Sequence, residues 1–163
     1  MRREASLNTG RQEIGTAMIT GFNHTSFTVT DIQRTVRFWT EALGFTLASL
    51  SPRSGAWQEQ VTGIPGAQLM VAHLYGHGHH MEFIQYLAGT AAAPALQPSM
   101  AGVAHVCLEV DDIEETWAAL LAAGATPQGA IAEVVTGPVS GGRAGYIRDP
   151  GGIIIELYEV GRK

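Results

Sequence analysis

Two stretches of this 163-residue chain are similar: residues 22–32, FNHTSFTVTDI, and residues 103–113, VAHVCLEVDDI. At an offset of 81 residues His24 coincides with His105, Asp31 with Asp112 and Ile32 with Ile113. Polar and apolar residues alternate along each stretch, which predicts a strand. An Asp then precedes apolar residues at helical spacing, which predicts a capped helix. The chain therefore contains an internal repeat whose unit opens with a strand and a helix.

Short strand-like runs follow each predicted helix. We predict strands over residues 45–51, 56–62, 67–75 and 80–86 in the first half, and over 131–136, 143–148 and 153–160 in the second, with a further strand just before them. The turn sequences GIPG (63–66) and DPGG (149–152) separate neighbouring runs. The fold class is α+β, with two tandem βαβββ modules that form a shared half-barrel with the helices outside.

The predicted organisation has four parts. A flexible N-terminal extension covers residues 1–17, and the first βαβββ module covers 18–89. A linker rich in Ala and Pro covers 90–101, and the second module covers 102–163.

Composition excludes several classes of protein. The net charge of −5 has the wrong sign for a partner of nucleic acid or of an anionic membrane. No apolar run approaches the roughly 20 residues needed to cross a bilayer, and no apolar segment follows Arg2 and Arg3 to make a secretory signal. The single cysteine, Cys107, rules out an internal disulfide framework and fits a cytoplasmic protein. We interpret Cys107 as a small, inert core residue.

Ionisable residues recur at matching places in the two modules. The first strand of each module carries His24 or His105, and the last strand carries Glu82 or Glu156 between apolar neighbours. A lone strand histidine is usually structural, and a glutamate beside Ile and Leu usually faces water. The recurrence of both types favours one divalent ion held by two His and two Glu, which suits Ni, Co, Mn, Zn or Fe.

A second group of histidines lies in the segment HLYGHGHH (73–80), around Gly76 and Gly78. We interpret this segment as a Gly-rich hairpin turn between two strands. The alternatives are a separate metal site or a loop near the mouth of a pocket, with His80 close to Glu82.

Four stretches that together run through both modules resemble the vicinal oxygen chelate superfamily, which includes glyoxalase I, methylmalonyl-CoA epimerase, bleomycin-resistance proteins and extradiol dioxygenases. They are FNHTSFTVTDIQRTVRFWTEALGF, HHMEFIQY, GVAHVCLEVDDIEETWAALLAAGA and GYIRDPGGIIIELYEV. The resemblance is nearest to the glyoxalase I and methylmalonyl-CoA epimerase-like members. It implies that His24, Glu82, His105 and Glu156 are the metal ligands, with Glu156 the first and Glu82 the second candidate for the catalytic base.

The resemblance also implies a reaction class. A divalent-metal-dependent lyase, isomerase or epimerase would chelate a small substrate through adjacent oxygens and remove a proton to give a metal-stabilised enolate. One alternative is an Fe(II)-dependent extradiol-type dioxygenase that uses three of the four ligands. Another is a non-catalytic ligand-binding or resistance protein, although bleomycin-resistance proteins lack the metal ligands that this chain has.

Substrate and partner are further implications. Thr28 and Tyr86 stand where glyoxalase I has an Arg and an Asn that hold glutathione, so a less charged substrate is expected here. Trp57 is a further candidate for lining the pocket. The resemblance implies a homodimer, in which the modules either meet within one chain or exchange between two chains.

Overall fold

Each half of the repeat folds into a sheet of its own. The computed structural model describes residues 13–14, 17–88, 96–138 and 140–161. Most of the predicted N-terminal extension and the first part of the predicted linker lie outside these residues. Within them, the short strands β1 (Glu13–Ile14) and β2 (Ala17–Met18) pair antiparallel.

The first module contains four strands and two helices. They are β3 (Thr25–Thr28), α1 (Ile32–Glu41), β4 (Thr46–Ser54), α2 (Ala56–Thr62), β5 (Gln68–Gly76) and β6 (His79–Tyr86). The strand order is β3-β6-β5-β4, with β3 parallel to β6 and the other pairs antiparallel.

The second module repeats this order. Its elements are β7 (His105–Val110), α3 (Ile113–Ala122), β8 (Thr126–Pro127), β9 (Ala132–Glu133), β10 (Arg143–Arg148) and β11 (Ile154–Glu159). The strand order is β7-β11-β10-β8, with β9 also paired to β10 and β7 parallel to β11. The two mixed sheets with their helices confirm the predicted α+β class.

The predicted caps begin α1 and α3. Asp31 accepts a hydrogen bond from the Arg34 backbone N–H at 3.0 Å, and Asp112 accepts one from the Glu115 N–H at 3.0 Å. Each bond satisfies one of the N–H groups that a helix start leaves without a partner.

A second acceptor ties each helix start to the last strand of its own module. Gln85 Oε1 accepts from the Ile32 N–H at 3.0 Å, and Glu159 Oε2 accepts from the Ile113 N–H at 2.8 Å. Gln85 and Glu159 each lie three residues after a candidate metal ligand. The strand that carries the ligand is therefore fixed against the helix in both modules.

Helix α1 packs on β4, β5 and β6, and α3 packs on β11; we call the opposite face of each sheet its open face. On the covered face of the first sheet, Trp39 of α1 packs on Phe83 of β6, with ring centroids 5.0 Å apart. Buried residues from both modules form one hydrophobic cluster, which includes Trp39, Leu74, Phe83, Ile113, Leu120, Ile147, Ile155 and Leu157. Alternation along the strands then places the candidate ligands on the open faces.

A buried carboxylate joins the two modules. Asp149, 3% exposed in the turn before β11, accepts hydrogen bonds from Trp39 Nε1 at 3.0 Å and from the Ile153 N–H at 2.8 Å. Burial raises the pKa of Asp149, and the hydrogen bonds from Trp39, Ile153, Gly151 and Gly152 oppose this shift without cancelling it. The Asp of the DPGG turn thus holds the first helix of the other module.

One predicted strand is wrong, and a second is shorter than predicted. Residues 56–62 form α2, which begins after Gly55 and ends at Gly63 with φ of 69°, a left-handed conformation typical of a helix end. The apolar residues Trp57 and Val61 lie one helical turn apart on α2, and both side chains are exposed. Their apolar character was therefore not a sign of a buried strand. Of residues 131–136, only Ala132–Glu133 pair with β10.

The Gly-rich segment is a tight hairpin between β5 and β6, as predicted. His77 and Gly78 have φ of 51° and 76°, the signs that a two-residue type I′ turn requires. The turn fixes the register of the two strands, and His73 therefore lies opposite Glu82. Among the described residues, no helix is long and apolar enough to cross a membrane.

Candidate metal centre

The first candidate pair lies on the open face of the first sheet. His24 directly precedes β3, and Glu82 lies on the adjacent parallel strand β6. His24 Nε2 is 3.4 Å from Glu82 Oε1, and the two side chains are 35% and 16% exposed. His24 Nδ1 is 2.7 Å from Asn23 Oδ1. Because Oδ1 only accepts, Nδ1 is the donor of this bond, and Nε2 is the His24 nitrogen that faces the carboxylate.

The second pair repeats this arrangement. His105 begins β7, and Glu156 lies on the adjacent parallel strand β11. His105 Nε2 is 3.0 Å from Glu156 Oε2. The His105 ring also contacts the ring of Tyr146, with centroids 5.0 Å apart.

Both pairs have the spacing of two ligands on one ion. Ligands about 2.1 Å from an ion and at right or tetrahedral angles are about 3.0 to 3.4 Å apart. The two pairs span the same range of distances. At His24 the outward ring nitrogen Nε2 and a carboxylate oxygen face each other, and in a neutral ring both are donor atoms that a cation between them would bind. The donor set therefore fits a divalent metal.

The two pairs do not meet within one chain. They lie on separate sheets, and the described residues contain no group of three or more His, Cys, Asp or Glu side chains that could hold a metal ion. Each pair supplies two candidate ligands, fewer than the three or four of typical zinc sites, and we call each pair a half-site.

Glu156 has two neighbours on its own sheet that sequence reasoning did not assign to the site. Cys107 of β7 and Tyr146 of β10 are its register partners on either side. Partial burial and the Glu156 carboxylate raise the pKa of the Cys107 thiol to about 11. Burial and the same carboxylate raise the pKa of Tyr146. Both groups stay protonated at neutral pH and can donate hydrogen bonds to Glu156.

Cys107 is exposed, so its interpretation as a core residue is wrong. Its strand lies at the edge of the sheet, and the side chain faces the open side together with His105.

Glu82 also has a neighbour that the sequence interpretation did not assign to the site. His73 Nε2 is 3.8 Å from Glu82 Oε2, and His73 Nδ1 is 3.0 Å from His80 Nε2. Burial lowers the pKa of His73, and the Glu82 carboxylate opposes this effect. The His80 ring lies near that of His24, with centroids 5.3 Å apart.

The three candidate substrate-binding residues have different positions. Thr28 is exposed on the same strand face as His24, and Tyr86 is half-buried on the same face of β6 as Glu82. Trp57 lies on α2 and is 59% exposed. Thr28 and Tyr86 are thus on the open face with the ligands, whereas Trp57 belongs to a different element.

The comparisons with known proteins agree with the repeat and the fold. A family model described as the glyoxalase/bleomycin resistance protein/dioxygenase superfamily matches residues 21–157, and the chain belongs to this superfamily. A 2-epi-5-epi-valiolone epimerase from an Actinomyces species is 27% identical over 144 residues, which cover 85% of this chain and 78% of that protein. Superfamily membership and this relative support a metal-dependent, glyoxalase-like enzyme.

Solved structures share the architecture. A glyoxalase family protein from Bacillus cereus is 25% identical, with a TM-score of 0.76 over 92% of this chain and 100% of that chain. The fosfomycin resistance protein FosX from Listeria monocytogenes, complexed with Mn(II) and sulfate, is 16% identical, with a TM-score of 0.55 over 87% of this chain and 93% of that one. At that identity the FosX structure shows a shared fold only.

Proposed function

We propose that this protein is a divalent-metal-dependent epimerase that acts on a small substrate with two adjacent oxygens. The observation that carries the proposal is the recurrence of a His–Glu pair at ligand spacing in both modules, 3.4 Å apart in one and 3.0 Å in the other. The epimerase relative favours epimerisation over the other reactions of this superfamily.

The proposed metal ligands are His24, Glu82, His105 and Glu156. A divalent ion held by them would stabilise the negative charge that develops on a substrate oxygen when the neighbouring carbon loses a proton. Neutral imidazoles and carboxylates are compatible with Ni, Co, Mn, Zn and Fe, so the ion has to be identified by experiment.

The glutamates are the proposed proton carriers. An epimerase removes a proton from one face of a carbon and returns a proton to the other face. Glu156 and Glu82 come from different half-sites and would approach the substrate from different sides. We assign proton removal to Glu156 and proton return to Glu82, with the roles exchanged in the reverse reaction.

Thr28 and Tyr86 are the proposed substrate contacts. Both lie on the open face of the first sheet and offer hydroxyl groups rather than charges. An uncharged substrate rich in oxygen atoms fits these groups better than a thiol conjugate with several carboxylates. Trp57 has weaker support because it lies on α2.

We further propose that a second copy of the chain completes the site. The half-sites of one chain lie on separate sheets, and both have an open face. In a two-fold dimer the first half-site of one chain would meet the second half-site of its partner, which makes two complete sites.

Complementation tests this arrangement. His24→Ala and His105→Ala should each abolish activity and stoichiometric metal binding. In a refolded mixture about half of the dimers contain one copy of each variant, and each such dimer has one intact site. About a quarter of the wild-type sites should therefore return. If no activity returns, the site is not shared between chains.

The reaction itself is tested with 2-epi-5-epi-valiolone in deuterium oxide and protein loaded with Mn(II) or Co(II). We expect one deuterium atom in the epimerised product and, at early times, none in recovered substrate, because the two glutamates act on opposite faces. A chelator should stop the reaction. If the protein consumes oxygen with a catechol and does not epimerise the substrate, the proposal is overturned in favour of a dioxygenase. If the purified protein binds no stoichiometric divalent metal, any metal-dependent function is overturned.

A further inference from the structure

We propose that His73 is a positioning residue for Glu82, because its ring lies beside one carboxylate oxygen while the other oxygen faces His24. This inference rests on the proposed function, since it concerns a ligand of the proposed metal site.

The two oxygens of Glu82 have different neighbours. Oε1 is 3.4 Å from His24 Nε2, and Oε2 is 3.8 Å from His73 Nε2. The Glu82 side chain is 16% exposed, so few water molecules can compete for these oxygens. His73 lies directly across from Glu82 in the β5–β6 register, at a position that the tight turn of the hairpin fixes. The pair is therefore held by the sheet and does not depend on a flexible loop.

A third residue orients His73. The His73 Nδ1 and His80 Nε2 atoms are 3.0 Å apart, and the ring of Tyr75 stacks on His80 with centroids 4.3 Å apart. The negative carboxylate favours the neutral His73 tautomer with the proton on Nε2, which acts on Oε2 through its charge at 3.8 Å, a separation longer than a hydrogen bond. Nδ1 then accepts from His80 Nε2–H. In this tautomer the N–H groups of His80 and His73 are both directed toward the Glu82 side, an arrangement typical of residues that support a metal-binding carboxylate.

The second module has a different residue at the matching position. Tyr146 lies across from Glu156 in the β10–β11 register, as His73 lies across from Glu82. A phenol donates a hydrogen bond to a carboxylate but is a poor ligand for the proposed ions. Both modules thus have a side chain with a hydrogen-bond donor, His73 or Tyr146, beside the glutamate. This favours a supporting role for His73 over a role as a third metal ligand.

Titration of the full-length protein with Co(II), followed by visible absorption, tests the role without any assay of activity. His73→Phe keeps an aromatic ring and removes the donor, and His73→Gln restores a donor. We expect H73F to weaken Co(II) binding 10- to 100-fold, the usual effect of losing a supporting residue. H73Q should recover most of the affinity. His79→Phe, on the exposed end of the same hairpin, is the matched control and should bind Co(II) like wild type.

The shape of the spectrum separates positioning from ligation. Bound Co(II) should give the wild-type spectrum in H73F, because the ligands are unchanged. Wild-type affinity in H73F would overturn the inference. So would an H73F variant that matches His24→Ala in both affinity and altered spectrum, because His73 would then be a ligand.

The outcomes also separate this inference from the proposed function. If His24→Ala abolishes Co(II) uptake while H73F leaves it intact, the metal site stands and only the role of His73 falls. If wild-type protein takes up no Co(II), both proposals fail. Thermal unfolding of each metal-free variant shows whether the fold is intact, and His73→Ala, which also removes the donor, replaces H73F in the test if H73F does not fold.

Discussion

Replacing Asp149 tests how the two modules are held together. In Asp149→Ala, Trp39 Nε1–H and the Ile153 N–H lose their common acceptor. Trp39 is fully buried, so water cannot replace the carboxylate at the indole without opening the core.

The expected loss of stability follows from these two donors. A buried donor left without a partner costs about 1 to 3 kcal/mol. Two such donors cost about 2 to 6 kcal/mol, and removing a desolvated carboxylate recovers part of this. We therefore expect D149A to lower the free energy of unfolding by about 2 to 4 kcal/mol, a large share of the roughly 5 to 15 kcal/mol typical of a domain.

Urea unfolding followed by tryptophan fluorescence measures this loss. Asp149→Asn keeps one acceptor oxygen and should fall between wild type and D149A. Trp39→Phe removes one of the donors, so the double variant D149A/W39F should lose less than the sum of the two single changes. An unchanged urea midpoint in D149A, or strict additivity in the double variant, would refute the reasoning.

The pH dependence gives a second measure of the same site. Burial raises the pKa of Asp149 in the folded state, so the folded protein binds this proton more tightly than the unfolded chain does. The contribution of Asp149 is then largest below its ordinary pKa of about 3.9 and declines as the pH rises through the folded-state value. The stability of wild type relative to D149N should fall as the pH rises from about 4. A relative stability that rises with pH would contradict the raised pKa.

Two further predictions concern single side chains. Cys107 is exposed, but with a thiol pKa of about 11 it should react slowly with iodoacetamide at about pH 8 and faster as the pH rises. Glu156→Gln removes the main charged neighbour of the thiol and should speed the reaction. Rapid labelling of wild type at neutral pH would contradict the prediction. In Gly76→Ala the new methyl group would lie 2.7 Å from ring atoms of Phe45, so we expect a loss of about 1 to 3 kcal/mol in urea unfolding. Gly129→Ala, whose added methyl group would meet no atom within 4 Å, is its control, and equal stability of the two variants would count against the clash.

The repeat accounts for most of what the sequence could predict. Once two copies of a strand–helix unit are recognised, the same internal register follows for both. Ser26 pairs with Glu82 and Cys107 pairs with Glu156, each two residues after the histidine. Histidine and glutamate therefore come together through the pairing of the first and last strands of each module. Whether the two pairs meet within one chain depends on module packing, which no local pattern encodes.

The neighbours of the glutamates were harder to find, although one signal was present. A two-residue turn at His77 and Gly78 pairs Gly76 with His79 and, counting outward, His73 with Glu82. The turn is recognisable from its glycines, but the pairing of His73 emerges only when the register is counted from it. Tyr146 has no such signal, because the longer connection DPGG joins β10 and β11. The helix α2 was missed because seven residues contain too few turns to separate helical from strand spacing.

The positions of the histidines connect the fold to the proposed reaction. They lie on or directly before the edge strands β3 and β7, and each faces the glutamate of the neighbouring strand. With two ligands, each half-site would bind an ion weakly, whereas four ligands from two modules would bind it far more tightly. In a shared site, metal binding and chain association would then be thermodynamically linked, since each favours the other by the same coupling free energy. If the four candidate ligands, which lie on two separate sheets, are shared as proposed, the catalytic centre would form only when a partner is present.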